Sequence, residues 1–100
     1  MDLHFSFTAK MWVYQGKGAW HFVTLPQTAA DEIRFFNSHA KGFMPNAVVV
    51  TIGGTTWKTS VFPDSKSGSF VLAIKKDVRQ AEKLEAGVGV EVKLKVPVHG

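Results

Sequence analysis

The segment GVEVKLKV, Gly89 to Val96, sets Val90, Val92, Leu94 and Val96 in strict alternation with Glu91, Lys93 and Lys95. A period of two sends successive side chains to opposite sides of an extended chain, so this segment is a strand with one apolar and one charged face. The mixed charges of the outer face suit a solvated edge strand, where they discourage edge-to-edge pairing. The same alternation opens the chain, with Leu3, Phe5, Phe7 and Ala9 set against His4, Ser6 and Thr8. A chain of 100 residues buries too little surface for two cores. Strands near both of its ends must therefore share a single core.

The first strand is expected to run on through Trp12, Val13 and Tyr14 to a turn at Gln15-Gly16-Lys17-Gly18, and to return as Ala19 to Leu25. Pro26 lacks an N–H, ends the pairing and fits the first turn of a helix. QTAADEIRFFNSHAK follows at helical spacing, with Thr28 as N-cap and Asp31 and Glu32 near the positive end of the dipole. Gly42 to Asn46 breaks the chain before the β-branched run AVVVTI, Ala47 to Ile52, and Gly53-Gly54 turns it. TTWKTSVF alternates Trp57, Thr59 and Val61 with Lys58, Ser60 and Phe62, which leaves either face available for burial. The loop PDSKSG, the strand Ser69 to Ile74, a short helix over about 76–84 and a turn at Gly87 lead into the closing strand. Residues 3–53 and 55–96 then each read ββαβ. Two such halves, each with an apolar face it cannot bury alone, close into one barrel with the helices at its ends. The expected architecture is mainly β with two short helices: a double-split β-barrel built from two ββαβ halves, residues 1–100 forming one domain.

Several residues fall in order and at fitting intervals for a known pattern: Phe5 and Ala9; Gly18, Trp20, Phe22, Val23 and Pro26; Gly53, Gly54, Trp57, Thr59 and Ser60; Pro63, Gly68 and Leu72; Lys75, Lys76 and Arg79; Gly87, Val90 and Val92. On these residues the chain resembles DUF1905, a bacterial domain-of-unknown-function family of small double-split β-barrels, over residues 3–96. The segment AIKKDVRQAEKLEAGVGVEVKL also resembles the second half of AbrB/MazE-type barrels. The chain departs from the pattern at Leu72-Ala73, where Leu-Pro is usual, and at Gly87-Val88-Gly89, where Gly-Asp is usual. The resemblance implies a fold and no activity. The likeness to DNA-binding barrels is one of form, and folds host many functions.

Composition narrows the chemistry. Hydrophobic residues make up 45% and charged residues 20%, with a net charge of +4, as in an ordinary globular domain. The absence of cysteine excludes disulfides and thiolate metal sites. No segment reaches the roughly 20 apolar residues of a bilayer span. The start MDLHFSFTAKMWVYQ lacks the basic and apolar regions of a secretory signal, so a soluble cytoplasmic protein without a membrane partner is expected. His4, His21, His39 and His99 are not at metal-ligand spacing, and His4 facing His21 across the first hairpin lacks a third ligand. No metal or cofactor is expected. IGGTTWKTS does not have phosphate-loop spacing, and Lys58 with Ser60 would make a nucleophile pair only around a desolvated lysine. Asp31, Glu32 and Asp77 sit in first helical turns, where capping explains them. No hydrolase or transferase site is visible.

Two sets of residues remain. Lys75, Lys76 and Arg79 gather at the start of the second helix, where cations oppose the dipole and an anion would be welcome. The plainer account is that Asp77 caps the helix and the rest confers solubility. Among the aromatics, Trp20 and Trp57 are assigned to the core, and Trp12 equally to the core or to the wall of a ligand pocket. The expected function is a non-catalytic binding module, monomeric or weakly dimeric. It recognises a small anionic ligand or a protein partner through Lys75, Lys76 and Arg79, with Lys58, Ser60 and Trp12 contributing. Nucleic-acid binding through the same basic face is the alternative.

Overall fold

The computed structural model describes residues 2–16, 18–39 and 47–97. In chain order its elements are β1 (Asp2–Lys10), β2 (Trp12–Gln15), β3 (Ala19–Thr24), α1 (Gln27–His39), β4 (Ala47–Ile52), β5 (Thr55–Asp64), β6 (Ser69–Ala73), α2 (Lys76–Ala81) and β7 (Gly89–Pro97). The protein is mainly β with two helices. Its strands form one curled antiparallel sheet in the order β1-β7-β4-β5-β6-β3-β2. The first and last strands in that order, β1 and β2, are consecutive in the chain. The break at 42–46 and the histidine at 99 lie outside the described residues.

The single opening strand of the sequence reading is two strands here. β1 pairs with β7 from Asp2↔Pro97 to Lys10↔Gly89, whereas β2 pairs with β3 from Trp12↔Phe22 to Gln15↔Ala19. Met11 lies at the change of partner. Its N–H donates to the Val88 carbonyl at 3.2 Å and its carbonyl accepts from the Gly87 N–H at 2.7 Å. Its side chain is fully buried. β5 changes partner too, pairing with β4 through residues 55–60 and with β6 through residues 61–64. It runs to Asp64, two residues beyond the expected end.

Register resolves the faces. Phe5, Leu94, Val50 and Trp57 stand in one row across β1, β7, β4 and β5, and Val61, Leu72 and Val23 in another across β5, β6 and β3. Both rows point inward, so Trp57, Thr59 and Val61 are the inner face of β5, and Trp57 packs against the core. The apolar face of β7 is buried at Val90, Val92, Leu94 and Val96 as its alternation requires. The edge assignment of β7 is corrected: it lies between β1 and β4, and the edges are β1 and β2.

The helices close over this sheet. α1 begins at Gln27, with the Ala30 N–H bonded to the Pro26 carbonyl at 3.1 Å. Thr28 is therefore inside the helix and not its N-cap, and Asp31 falls beyond the first turn. Asp31 instead accepts from Gln27 Nε2 at 2.9 Å and pairs with Arg34 at 3.5 Å. Ala29, Ala30 and Ile33 form the buried stripe of α1. Its start is tied to β6: Ser69 Oγ donates to the Leu25 carbonyl at 2.8 Å and the Leu25 N–H to the Phe70 carbonyl at 2.9 Å. The Arg34 guanidinium lies 5.3 Å above the Phe70 ring. α2 ends at Ala81, short of the expected 84, and Val78 is its buried anchor.

The β4–β5 turn shows how closely the second helix is fitted to the sheet. Gly53 has φ +58°, and a Cβ there would strike the Glu82 carboxylate, which accepts a 2.6 Å hydrogen bond from Thr55 Oγ1. A Cβ at Gly54 meets nothing within 4 Å. Gly53→Ala is expected to destabilise the protein by about 1–2 kcal/mol, through left-handed strain and the displaced Glu82. Gly54→Ala should stay within about 0.5 kcal/mol. Urea unfolding of the two variants side by side checks the contrast, and equal costs would refute it.

Candidate functional site

Because β5 leaves β6 beyond Val61 to pair with β4, its first half separates from β6 and β3 and a cleft opens between them. Its volume is about 450 Å³. Trp57, Thr59, His21 and Ile74 line it together with the cationic side chains of Lys58, Lys75, Lys76 and Arg79. These cations come from β5, from the extended residue before α2, and from α2 itself. Among the described residues no aspartate or glutamate lines the cleft. The structure thus brings together four of the six residues singled out from the sequence. Ser60 shares the outward parity of Lys58 but faces Ala47 in the register and does not line the cleft. Lys58 is solvent-exposed, so the desolvation that a Ser–Lys nucleophile pair requires is not met.

The four cations differ in how they are held. Lys75 is the N-cap residue of α2, extended at φ −68°, ψ 158°, and no side chain caps the helix. Asp77 lies in the first turn without capping it, which corrects the role assigned to it from the sequence. α2 has only six residues, so its dipole is a minor factor and the case for an anion rests on the converging side chains. Arg79 turns back onto the sheet: Nε donates to the Ile74 carbonyl at 3.1 Å, and Nη1 lies 3.4 Å from His21 Nε2. His21 Nδ1 is 3.0 Å from the Ala19 carbonyl, an acceptor only, so Nδ1 carries the proton and Nε2 accepts from Arg79. The Ile74 N–H completes the knot on the His21 carbonyl at 2.8 Å. Where the Leu-Pro of the resemblance is missing, this knot sets the direction of the chain into α2.

The aromatic residues fall out differently from expectation. Trp57 packs against the core and also reaches the cleft. Trp20 is 55% exposed, and its core assignment is corrected. Its register partner is Tyr14, as Phe22 is that of Trp12, so these four rings share one face of the β2–β3 hairpin, opposite to buried Val23. Trp12 is half-buried there and donates from Nε1 to Thr24 Oγ1 at 2.9 Å. With Phe62 and Val71 these rings line an outward recess of about 390 Å³, whose one charged residue among those described is Asp64. Hydrogen bonding from the Ser67 hydroxyl at 2.8 Å holds the Asp64 carboxyl below its ordinary value, with further help from the backbone N–H groups of Ser67 and Lys66.

Sequence reading missed a second basic feature. On the outer face, His4, Lys95, Val49 and Lys58 form one register row, and Ser6, Lys93, Thr51 and Thr56 the next. Lys58 therefore joins the cleft to a cationic stripe on β7. The alternation of β7 was visible, but not its place inside the sheet. His4 pairs with Lys95 and His21 with Val13, so these histidines do not face each other. Among the described residues no three His, Asp or Glu side chains gather as a metal site would need, and no helix is long and apolar enough to cross a membrane.

A curled antiparallel sheet with two helices and a cation-lined cleft defines the kind of protein this is. The model of the family described as Domain of unknown function (DUF1905) matches residues 7–94, and the chain belongs to that family. Comparison with curated proteins finds no match.

The knot around Arg79 separates structural from free cations. Arg79→Gln is expected to cost about 1–2 kcal/mol of stability in urea unfolding, because it removes charged hydrogen bonds in a half-buried position. Lys75→Gln and Lys76→Gln should each stay within about 0.5 kcal/mol. A destabilisation by either lysine variant equal to that of Arg79→Gln would contradict this division.

Proposed function

We propose that this protein is a non-catalytic binding module whose cleft receives an anionic group. The observation that carries the reading is the convergence of Lys58, Lys75, Lys76 and Arg79 on one cavity that no carboxylate of the described residues lines. Like charges brought together repel, and a bound phosphate or carboxylate relieves that cost while gaining charge-assisted hydrogen bonds. Lys58, Lys75 and Lys76 are the mobile donors. Arg79 is held by its own bonds and presents its remaining N–H groups from a fixed place. Trp57 and Ile74 supply apolar walls, which lower the local dielectric and strengthen each contact. The test is titration with inorganic phosphate and pyrophosphate at low salt, followed by amide chemical shifts. Shifts are expected at residues 57–59, 73–76 and His21, with Lys58→Gln and Lys76→Gln each weakening binding about two- to fivefold. Saturating shifts elsewhere, or none at millimolar anion, would sink the reading.

A second reading, binding of single-stranded nucleic acid, is favoured by the stripe from Lys58 to Lys95 and Lys93. Neighbouring strands are about 4.8 Å apart, so Lys58 and Lys95, separated by one strand, lie about 10 Å apart at the backbone and form a basic track of the kind a charged strand follows. Labelled single-stranded DNA and RNA followed by fluorescence anisotropy against salt is the check. Each of Lys93→Gln and Lys95→Gln should lower the slope of log K against log salt by about 0.7. Slopes unchanged by either substitution would confine binding to the cleft.

The finer architecture we propose is a double-split barrel of two ββαβ halves closed within one chain. Its support is the pairing pattern: β1–β7 corresponds to β5–β4, β2–β3 to β5–β6, and β4–β7 and β3–β6 join equivalent strands. A pseudo-twofold axis relates the two sets, and closure within the chain suits a monomer.

A further inference from the structure

The cationic cleft and the aromatic recess have one residue in common, Trp20, which lines both. On one side of it stand Lys58, Lys75 and Lys76 with no acidic residue, and on the other Trp12, Tyr14, Phe22 and Phe62. Tyr14, Trp20 and Phe62 are each more than half exposed, an unusual concentration of large apolar side chains on the outer face of so small a sheet. Their rings are already set in place. Trp20 stacks on Phe22 with an interplanar angle of 10° and centroids 6.1 Å apart, Trp12 lies 5.1 Å from Phe22, and the bond to Thr24 fixes the Trp12 indole. A platform held this way loses little side-chain freedom when another ring settles on it.

We infer that the anionic group taken by the cleft is carried on a planar aromatic ring, which stacks against Trp20 and extends over the aromatic recess. The inference rests on the anion-binding reading of the cleft and adds the rest of the ligand to it. A bare anion would account for the lysines and leave the exposure of Trp20 and Tyr14 without a use. A purely apolar ligand would do the reverse. Asp64 sets the orientation: its carboxylate on the recess repels an anion, so the charged end of the ligand points to the lysines and the ring to Phe22 and Phe62. The ligand class is an aryl or heteroaryl phosphate or carboxylate, whether the charge is joined directly to the ring or held one sugar away as in a nucleotide.

Calorimetric titration with four probes tests this: inorganic phosphate, cyclohexyl phosphate, phenyl phosphate and adenosine 5′-phosphate. At equal charge, phenyl phosphate and cyclohexyl phosphate differ in the flatness and π-character of the ring. At least one of the two aromatic probes is expected to bind about tenfold more tightly than cyclohexyl phosphate, the size of one ring-stacking contact. Which of them does so tells the spacing between ring and charge that the groove accepts. Trp20→Leu, at an exposed position where folding is checked by thermal unfolding, should abolish that preference and bring the aromatic probes to the affinity of cyclohexyl phosphate. Lys58→Gln should weaken all four probes. Phosphate binding with no aromatic preference, or a preference that survives Trp20→Leu, overturns the inference and leaves the anion cleft standing. If none of the four binds, the anion cleft falls, and this inference with it.

Discussion

The structure depends on an exchange of hydrogen-bonding partners along an extended run of chain. At Met11 the chain leaves β7 and takes up β3, and the exchange is stable because both peptide groups of that residue are satisfied by the turn before β7, at Val88 and Gly87. A buried backbone group without a partner would cost more than the small stability margin of a domain this size could spare. Gly87 at φ +87° lets the turn approach closely enough to supply its N–H, and the Met11 side chain fills the space beneath. β5 performs the same exchange between β4 and β6, with a different outcome. There the chain runs on within one strand from Ser60 to Val61, and the first half of β5 lies across a cleft from β3 and α2. One device therefore yields a sealed junction on one side of the molecule and the candidate site on the other.

Much of this fold can be read from alternation. β4 has the expected bounds, β7 buries the expected four residues, and both helices lie where the patterns place them. The break at Met11 was invisible because Ala9, Met11 and Val13 keep the inward parity without interruption; the chain changed its partner, not its period. The faces of β5 were undecided because both sides are half-apolar, and only pairing with Val50 and Leu72 turns Trp57 and Val61 inward. Trp20 was misplaced for a simpler reason. Large aromatic side chains are usually core, and that tendency was allowed to outweigh its parity with Phe22 and against Val23. The parity was the better signal.

The site was legible in part for a similar reason. Lys75, Lys76 and Arg79 stand out as a local run, and local runs are what sequence displays well. That Lys58, 17 positions before Lys75, would join them depends on where β5 parts from β6, and that is set by tertiary pairing. The helix dipole contributes less to the cleft than the side chains do. A helix of six residues with no side-chain cap offers little field, whereas cations from β5, α2 and the residue before it converge on one cavity and offer full charges.

Placement of the acidic residues gives the basic cleft its meaning. Asp31 is engaged with Arg34, Glu82 with Thr55, and Asp64 with Ser67, all away from the cleft. The one ion pair among the described residues is that of Asp31 with Arg34, on α1. Glu91 is the acidic residue that interrupts the lysine stripe of β7, and it lies next to Lys93 on the side away from Lys95 and Lys58. The chain sets eight acidic residues against twelve basic ones, and among the described residues no acidic side chain lines the cleft beside Lys58, Lys75 and Lys76. Mixed surface charge with local pairing is the ordinary way to stay soluble. In the cleft the cations stand together, with Arg79 locked beside an acceptor nitrogen of His21, and their like charges sum to a positive potential there.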